Sequence, residues 1–136
     1  MLTMQRKEPS KILLQSKLSN TGELIVVESQ KDVPFAVSRL FFINEKAAVE
    51  RGQHAQIRCT QALICVRGSI EVTCQIGRDS RKWLLDSSDQ CLIIPPMVWA
   101  SQQYVHPNST LLVLCDRPYE ESDYIRDFDQ YILKAT

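Results

Sequence analysis

The sequence predicts an all-β fold, a small antiparallel β-barrel carrying one short helix at its C-terminus. Three observations predict it. Short runs rich in β-branched and aromatic residues recur along the chain, with Gly, Pro, Asn, Asp and Ser between them. One of them, "SIEVTCQI" (69–76), alternates with period two: Ile70, Val72, Cys74 and Ile76 point to one side, Ser69, Glu71, Thr73 and Gln75 to the other. Only the last stretch changes to a helical period. Many short strands closely spaced by turns form sandwiches or barrels.

In order, the expected strands are "KILL" (11–14), "ELIVVES" (23–29), "FAVSRLFFI" (35–43), "QALICVR" (61–67), "SIEVTCQI" (69–76), "KWLLD" (82–86), "QCLII" (90–94) and "STLLVLCD" (109–116). Within them, "ALICV" and "LLVLC" are apolar on both faces, as central strands packed on two sides are. Gly68 in "VRGSI" sits where a hairpin asks for positive φ, and "IGRDSRKW" is a second, solvated hairpin tip. In "SDYIRDFDQYILK" (122–134) Ile125, Phe128 and Ile132 fall at helical spacing, Ser122 is placed to cap the N-terminus, and Asp123 suits the dipole of the first turn. The expected organisation is a polar N-terminal tail (1–10) and a single domain (11–136), with no repeat and no linker.

A chain of 136 residues suits one domain with room for a core. Lys+Arg and Asp+Glu number 16 each, which argues against a broad basic surface for nucleic acid or anionic lipid. The longest apolar run, "CLIIPPMVWA" (91–100), is too short to span a membrane and holds two prolines. The N-terminus has charge but no apolar segment of the kind a secretory signal needs. Cys59, Cys65, Cys74, Cys91 and Cys115 are odd in number, form no CxxC and mostly lie in apolar runs. Buried free thiols in a reducing compartment fit this pattern, so a cytoplasmic location is expected.

One motif carries chemistry. "RGQHAQ" (51–56) leads through "IRCT" to Gln61, then through "ALICVR" to Gly68, and "PPMVWA" (95–100) follows. The spacing is similar to the paired motifs of the cupins, small jelly-roll-like barrels whose first motif reads HxH, then Glu, then Gly, and whose second ends in His. Here Gln56 stands for a His, Gln61 for the Glu and Ala100 for the last His. One imidazole with two carboxamides is a poor set for a divalent metal, so no metal and no cofactor are expected. On a strand, His54, Gln56 and, if the strand continues, Arg58 face one side and are candidates for contacts with an organic ligand.

The stretches "NTGEL", "VPFAVSRLFFI", "RGQHA", "QALICVRGS", "IPPMVW" and "LLVLCDRPYEESDYIRDF" cover about residues 16–130. In order and spacing the chain resembles the nucleotide-sugar 3,4-ketoisomerases, the WxcM-like cupins that act on TDP-4-keto-6-deoxyglucose. The resemblance implies a metal-free acid/base shift of the carbonyl from carbon 4 to carbon 3, a TDP-hexose ligand, and a homodimer formed through exchanged N-terminal strands. It places His54 as the catalytic base, with Arg39, Arg51, Gln56, Arg58, Gln61, Trp99 and Tyr119 as substrate-binding candidates. Arg39, in an apolar strand, is expected either to hold a structural carboxylate or to meet the ligand's diphosphate. Trp99 and Met97 are read as core or as aromatic contacts, and the cluster Tyr119, Asp123, Tyr124, Arg126 as a capped helix start. His106 is expected to be a solvated loop residue. The chain departs from the family at Gln56, at Ala100, in the loop Asn20-Thr21-Gly22, and at Phe41 and Phe42, where a Tyr is usual. A carboxamide is no general base near pH 7, so the alternative reading is a catalytically impaired cupin that binds a nucleotide sugar, or a partner protein in a glycan pathway.

Overall fold

The computed structural model describes residues 7–135, so residues 1–6 of the expected tail lie outside the described residues. The strands are β1 (Ser10–Leu13), β2 (Gln15–Leu18), β3 (Glu23–Val26), β4 (Arg39–Glu45), β5 (Glu50–Gln56), β6 (Gln61–Arg67), β7 (Ile70–Ile76), β8 (Asp79–Leu85), β9 (Gln90–Ile94), β10 (Trp99–Tyr104), β11 (Ser109–Cys115) and β12 (Tyr124–Ile125), and the helix is α1 (Phe128–Ala135). Two antiparallel five-stranded sheets, ordered β1-β9-β6-β11-β4 and β12-β5-β10-β7-β8, face each other, and β2 and β3 form a separate hairpin. Among the described residues no helix is long and apolar enough to cross a membrane.

The alternation in β7 produces the main core. Ile70, Val72 and Cys74 are fully buried and meet Leu63 and Cys65 of β6, Leu111 and Val113 of β11 and Leu92 of β9 across the gap between the sheets. Each such side chain contributes about 1.5–3 kcal/mol of burial. The double-faced apolar pattern of β6 has its cause in a second layer. Ala62 and Ile64 point away from the main core, into a cluster closed by Leu14, Val33, Phe35 and Val37. A third cluster lies under α1, where Ala55, Ile125 and Tyr131 pack with Met97 and Trp99. All five cysteines are free and buried.

Gly68 has φ +87°, and a Cβ there would come within 2.2 Å of Ser109 Oγ, so glycine is required at this hairpin. Four strands escape the apolar-run criterion: β2, β5, β10 and β12. β10, "WASQQY", buries Ala100, Gln102 and Tyr104 on one face, a period-two pattern concealed by its polar composition. β2 is exposed along its whole length.

The C-terminal helix is shorter than expected. Glu121–Asp123 form a 3-10 turn, and Tyr124 and Ile125 add to the edge of β5 opposite Gln56 and Ala55. Ser122 and Asp123 therefore do not open the helix, and Ile125 lies on a strand. Backbone pairing with an open sheet edge outweighs the helical spacing in this segment. The helix is capped instead by Asp127, whose Oδ1 accepts the Gln130 N–H at 2.9 Å.

Candidate active site

β5 is bulged before it reaches the candidate residues His54 and Gln56. Ser101 of β10 faces Gly52, but Ala100 faces His54, so Gln53 is the extra residue. Gly52 and Gln53 take φ of +87° and +61°. Beyond the bulge Ala55 turns outward under α1, while His54 and Gln56 turn inward together with Tyr124. The His54 and Tyr124 rings meet edge to face, with centroids 5.0 Å apart.

Arg39 enters from the first position of β4. Its Nη2 donates to the Tyr124 hydroxyl at 3.4 Å and approaches Cys115 Sγ at 3.9 Å. The guanidinium also lies against the rings of Phe41 (4.9 Å) and Tyr119 (5.2 Å). Of the two expectations for Arg39, the structural carboxylate is not met: among the described residues none pairs with it, and its buried Nε has no partner. On the other side of Tyr124 the Arg126 guanidinium sits 4.5 Å over the ring and holds Glu121 through two hydrogen bonds of 2.7 and 3.0 Å. The Tyr119 hydroxyl donates to the same carboxylate. Arg126 and Tyr119 together hold the Glu121 carboxyl down at about 2. Between Arg39, Gln56, Tyr119 and Tyr124 remains a crevice of about 10 Å³, room for roughly one water.

The imidazole of His54 is lowered in pKa, first by burial, then by the charge of Arg126; a hydrogen bond to the Gly52 carbonyl and the charge of Glu121 oppose this. A neutral imidazole is the form that can accept a proton. Because the folded value lies below the unfolded one, near 6.5, the unfolded chain binds the proton first as pH falls. The contribution of His54 to stability is thus complete above about pH 6.5 and is lost as pH drops through the folded value. We expect the His54 ring to titrate in NMR spectra with a midpoint below 6.5, and Arg126→Gln to move that midpoint upward. A midpoint that stays put in the variant would remove Arg126 from the electrostatics of the site.

The other candidates are dispersed. Gln61 is buried behind the crevice, where its Nε2 donates to Cys115 Sγ at 3.5 Å. The same thiol is drawn below its ordinary pKa by a hydrogen bond from Cys59 and by Gln61 and Arg39, while Cys59, the donor, is pushed up. Arg58 is not on the strand, because β5 ends at Gln56; it pairs on the surface with Glu120 at 2.9 Å and Asp123 at 3.4 Å. Arg51 is bound to Glu45 at 2.6 Å, at the opposite end of β4 from Arg39 and roughly 20 Å along the strand. Trp99 faces outward and packs on Phe128 and Tyr131 of α1 at 5.2 and 5.6 Å. The structure thus gathers His54, Gln56, Arg39 and Tyr119, and adds Tyr124 and Arg126. Their signal in the sequence is the "YEESDYIR" cluster, which helical spacing had assigned to a helix start. Among the described residues, no three His, Cys, Asp or Glu side chains converge as metal ligands.

The sequence profile of the family described as "FdtA: WxcM-like, C-terminal" matches residues 8–136. The chain belongs to this family. A relative from Aneurinibacillus thermoaerophilus, a TDP-4-oxo-6-deoxy-alpha-D-glucose-3,4-oxoisomerase, is 31% identical over 115 residues, covering 84% of this chain and 83% of the relative. The solved structure of QdtA, a sugar 3,4-ketoisomerase from Thermoanaerobacterium thermosaccharolyticum in complex with TDP, superposes with a TM-score of 0.90 at 30% identity over 93% of each chain. A histidine-to-asparagine mutant of QdtA in complex with TDP-4-keto-6-deoxyglucose matches with a TM-score of 0.91 at 29% identity, covering 96% of each chain. The cupin-type barrel expected from the paired motifs is therefore the fold of this WxcM-like chain, and the resemblance read from its residues holds over nearly its whole length.

Proposed function

We propose that this WxcM-like protein binds a TDP-4-keto-6-deoxyhexose at the crevice and moves the sugar carbonyl from carbon 4 to carbon 3. The observation that carries the reading is a half-buried imidazole of lowered pKa against the Tyr124 ring, whose hydroxyl meets an arginine, Arg39, with no carboxylate partner among the described residues. His54 takes the proton from carbon 3, and Arg39, freed from Tyr119, receives the anionic part of the ligand. Gln56, with its amide at the crevice wall, bonds to a sugar oxygen. Tyr119 is the movable wall: it is 55% exposed, whereas its neighbours are fixed on strands. The barrel from residue 11 onward acts as one domain, in the cytoplasm, without nucleic acid or membrane as partner. It pairs into a homodimer through its N-terminal strands, a reading supported by Leu13, Leu18 and Leu24, which stand 74%, 82% and 57% exposed on β1, β2 and β3.

The test is to mix the protein with TDP-4-keto-6-deoxyglucose in heavy water and follow the proton spectrum. Loss of the carbon-3 proton signal together with appearance of the 3-keto isomer supports the enzyme. Gln56, Gln61 and Ala100 favour a second reading, a binder without turnover, because none of them exchanges protons near neutral pH. Binding heat without exchange would select that reading, and absence of both sinks the ligand assignment.

A further inference from the structure

We propose that Tyr124 is the second proton carrier of the site, delivering a proton to carbon 4 after His54 has taken one from carbon 3. The inference rests on the ketoisomerase reading above.

His54 alone can return its proton to carbon 4 only on the face from which it took it; delivery from the other face needs a second protein group. When the carbon-3 proton leaves, its electron pair forms the C3–C4 double bond and the carbonyl at carbon 4 becomes an enediolate oxygen. A proton must then bond to carbon 4, and the hydroxyl proton on oxygen 3 must pass to oxygen 4, leaving the carbonyl at carbon 3. Substrate and product are isomers, so no oxidant or reductant enters. His54 ends the cycle with one proton gained and the donor with one lost; transfer between the two restores both.

Among the side chains described around His54 and Tyr124, one is suited to the second task. Gln56 and Ala100 hold no exchangeable acid. Arg39 and Arg126 do not release protons at physiological pH. Glu121 is held ionised by Arg126, and Tyr119, the exposed wall that leaves Arg39 when the ligand enters, is displaced from the reacting carbons. Tyr124 differs from all of these. Its hydroxyl accepts from Arg39 at 3.4 Å, while its own proton has no acceptor among the described residues. The ring touches His54, and Tyr124 lines the crevice together with Arg39, to which its hydroxyl is bonded, so it is near the base and beside the ligand space. Once the proton has left, the phenolate is bounded by two cations, Arg39 at the oxygen and Arg126 at 4.5 Å over the ring. Charge developing on Tyr124 therefore meets dipoles and charges already in place. The β12 pairing fixes this geometry, because Tyr124 lies directly opposite Gln56.

Tyr124→Phe removes the hydroxyl and keeps the ring. With TDP-4-keto-6-deoxyglucose in heavy water, the variant should still incorporate deuterium at carbon 3, while formation of the 3-keto isomer falls by about a hundred- to ten-thousand-fold with little change in KM. Product formation at the unaltered rate overturns the proposal and leaves the ketoisomerase reading intact. So does a parallel loss of exchange and product with TDP binding retained. Unaltered protein that neither exchanges nor isomerises overturns both. As a second measurement, 3-fluorotyrosine at position 124 preserves the ring and acidifies the phenol. The high-pH limb of kcat should move to lower pH, and a limb that does not move contradicts the assignment.

Discussion

His54→Asn yields a folded protein whose isomerisation of TDP-4-keto-6-deoxyglucose, and whose deuterium exchange at carbon 3, both fall by about a hundred- to ten-thousand-fold. The size of the effect follows from the absence of a substitute. The chain has two histidines, and the other, His106, lies in the turn after β10, where its carbonyl accepts the Ser109 hydroxyl at 2.7 Å. Gln56 points into the same space but offers no basic nitrogen, and Ala100, directly across from His54, offers only a methyl group. Asparagine retains hydrogen-bonding capacity and removes basicity, so TDP binding should change little. Thermal unfolding and TDP titration of the variant establish that fold and ligand site persist. Exchange at carbon 3 that continues at the unaltered rate would show that another group takes the proton.

Asp123→Ala lowers the unfolding free energy by about 3 kcal/mol, the largest stability loss expected from a change near the crevice. Asp123 is 4% exposed. Its Oδ1 accepts the backbone N–H of Arg58 at 2.9 Å and its Oδ2 that of Cys59 at 3.2 Å, while its carbonyl accepts the Ile57 N–H at 2.8 Å. The side chain thus pins the loop between β5 and β6 to the segment that leads into β12. Alanine leaves two amides without their acceptor, each costing about 1–3 kcal/mol if they stay buried. The contact with the Arg58 side chain adds little, because that side chain is 53% exposed and solvent screens the pair. Denaturant titration measures the change as a lower midpoint at constant slope. Asp123→Asn, which keeps one acceptor oxygen, should lose less. A loss below about 1 kcal/mol for alanine would mean that water replaces the carboxylate at both amides.

Where burial leaves an apolar trace, the fold was readable from the residues. The alternation of β7 and the solid run of β6 mark one strand with one wet face and another with none, and Gly68 marks the turn between them. β10 was not readable in this way, since its inward residues include Gln102 and its sequence lacks an apolar run. Nor was the bulge at Gly52 and Gln53: it brings Arg51 and His54 to one face, although strict alternation assigns them to opposite faces. The motif spacing located His54 and Gln56, because their relation is internal to one strand. Tyr124 and Arg126 become part of the site only through pairing of β12 with β5, a contact between residues far apart in the chain. A helical period of three residues in the same segment pointed to a different structure and concealed it.

The five reduced cysteines have a practical corollary. Every one of these cysteines is buried, and a thiol must meet a reagent as its anion before it can be alkylated. Modification by an agent such as iodoacetamide therefore records the moments when the barrel breathes. Cys74 and Cys91, held up at about 12 by burial, report the opening of separate walls, and the protein carries its own set of clocks for local unfolding.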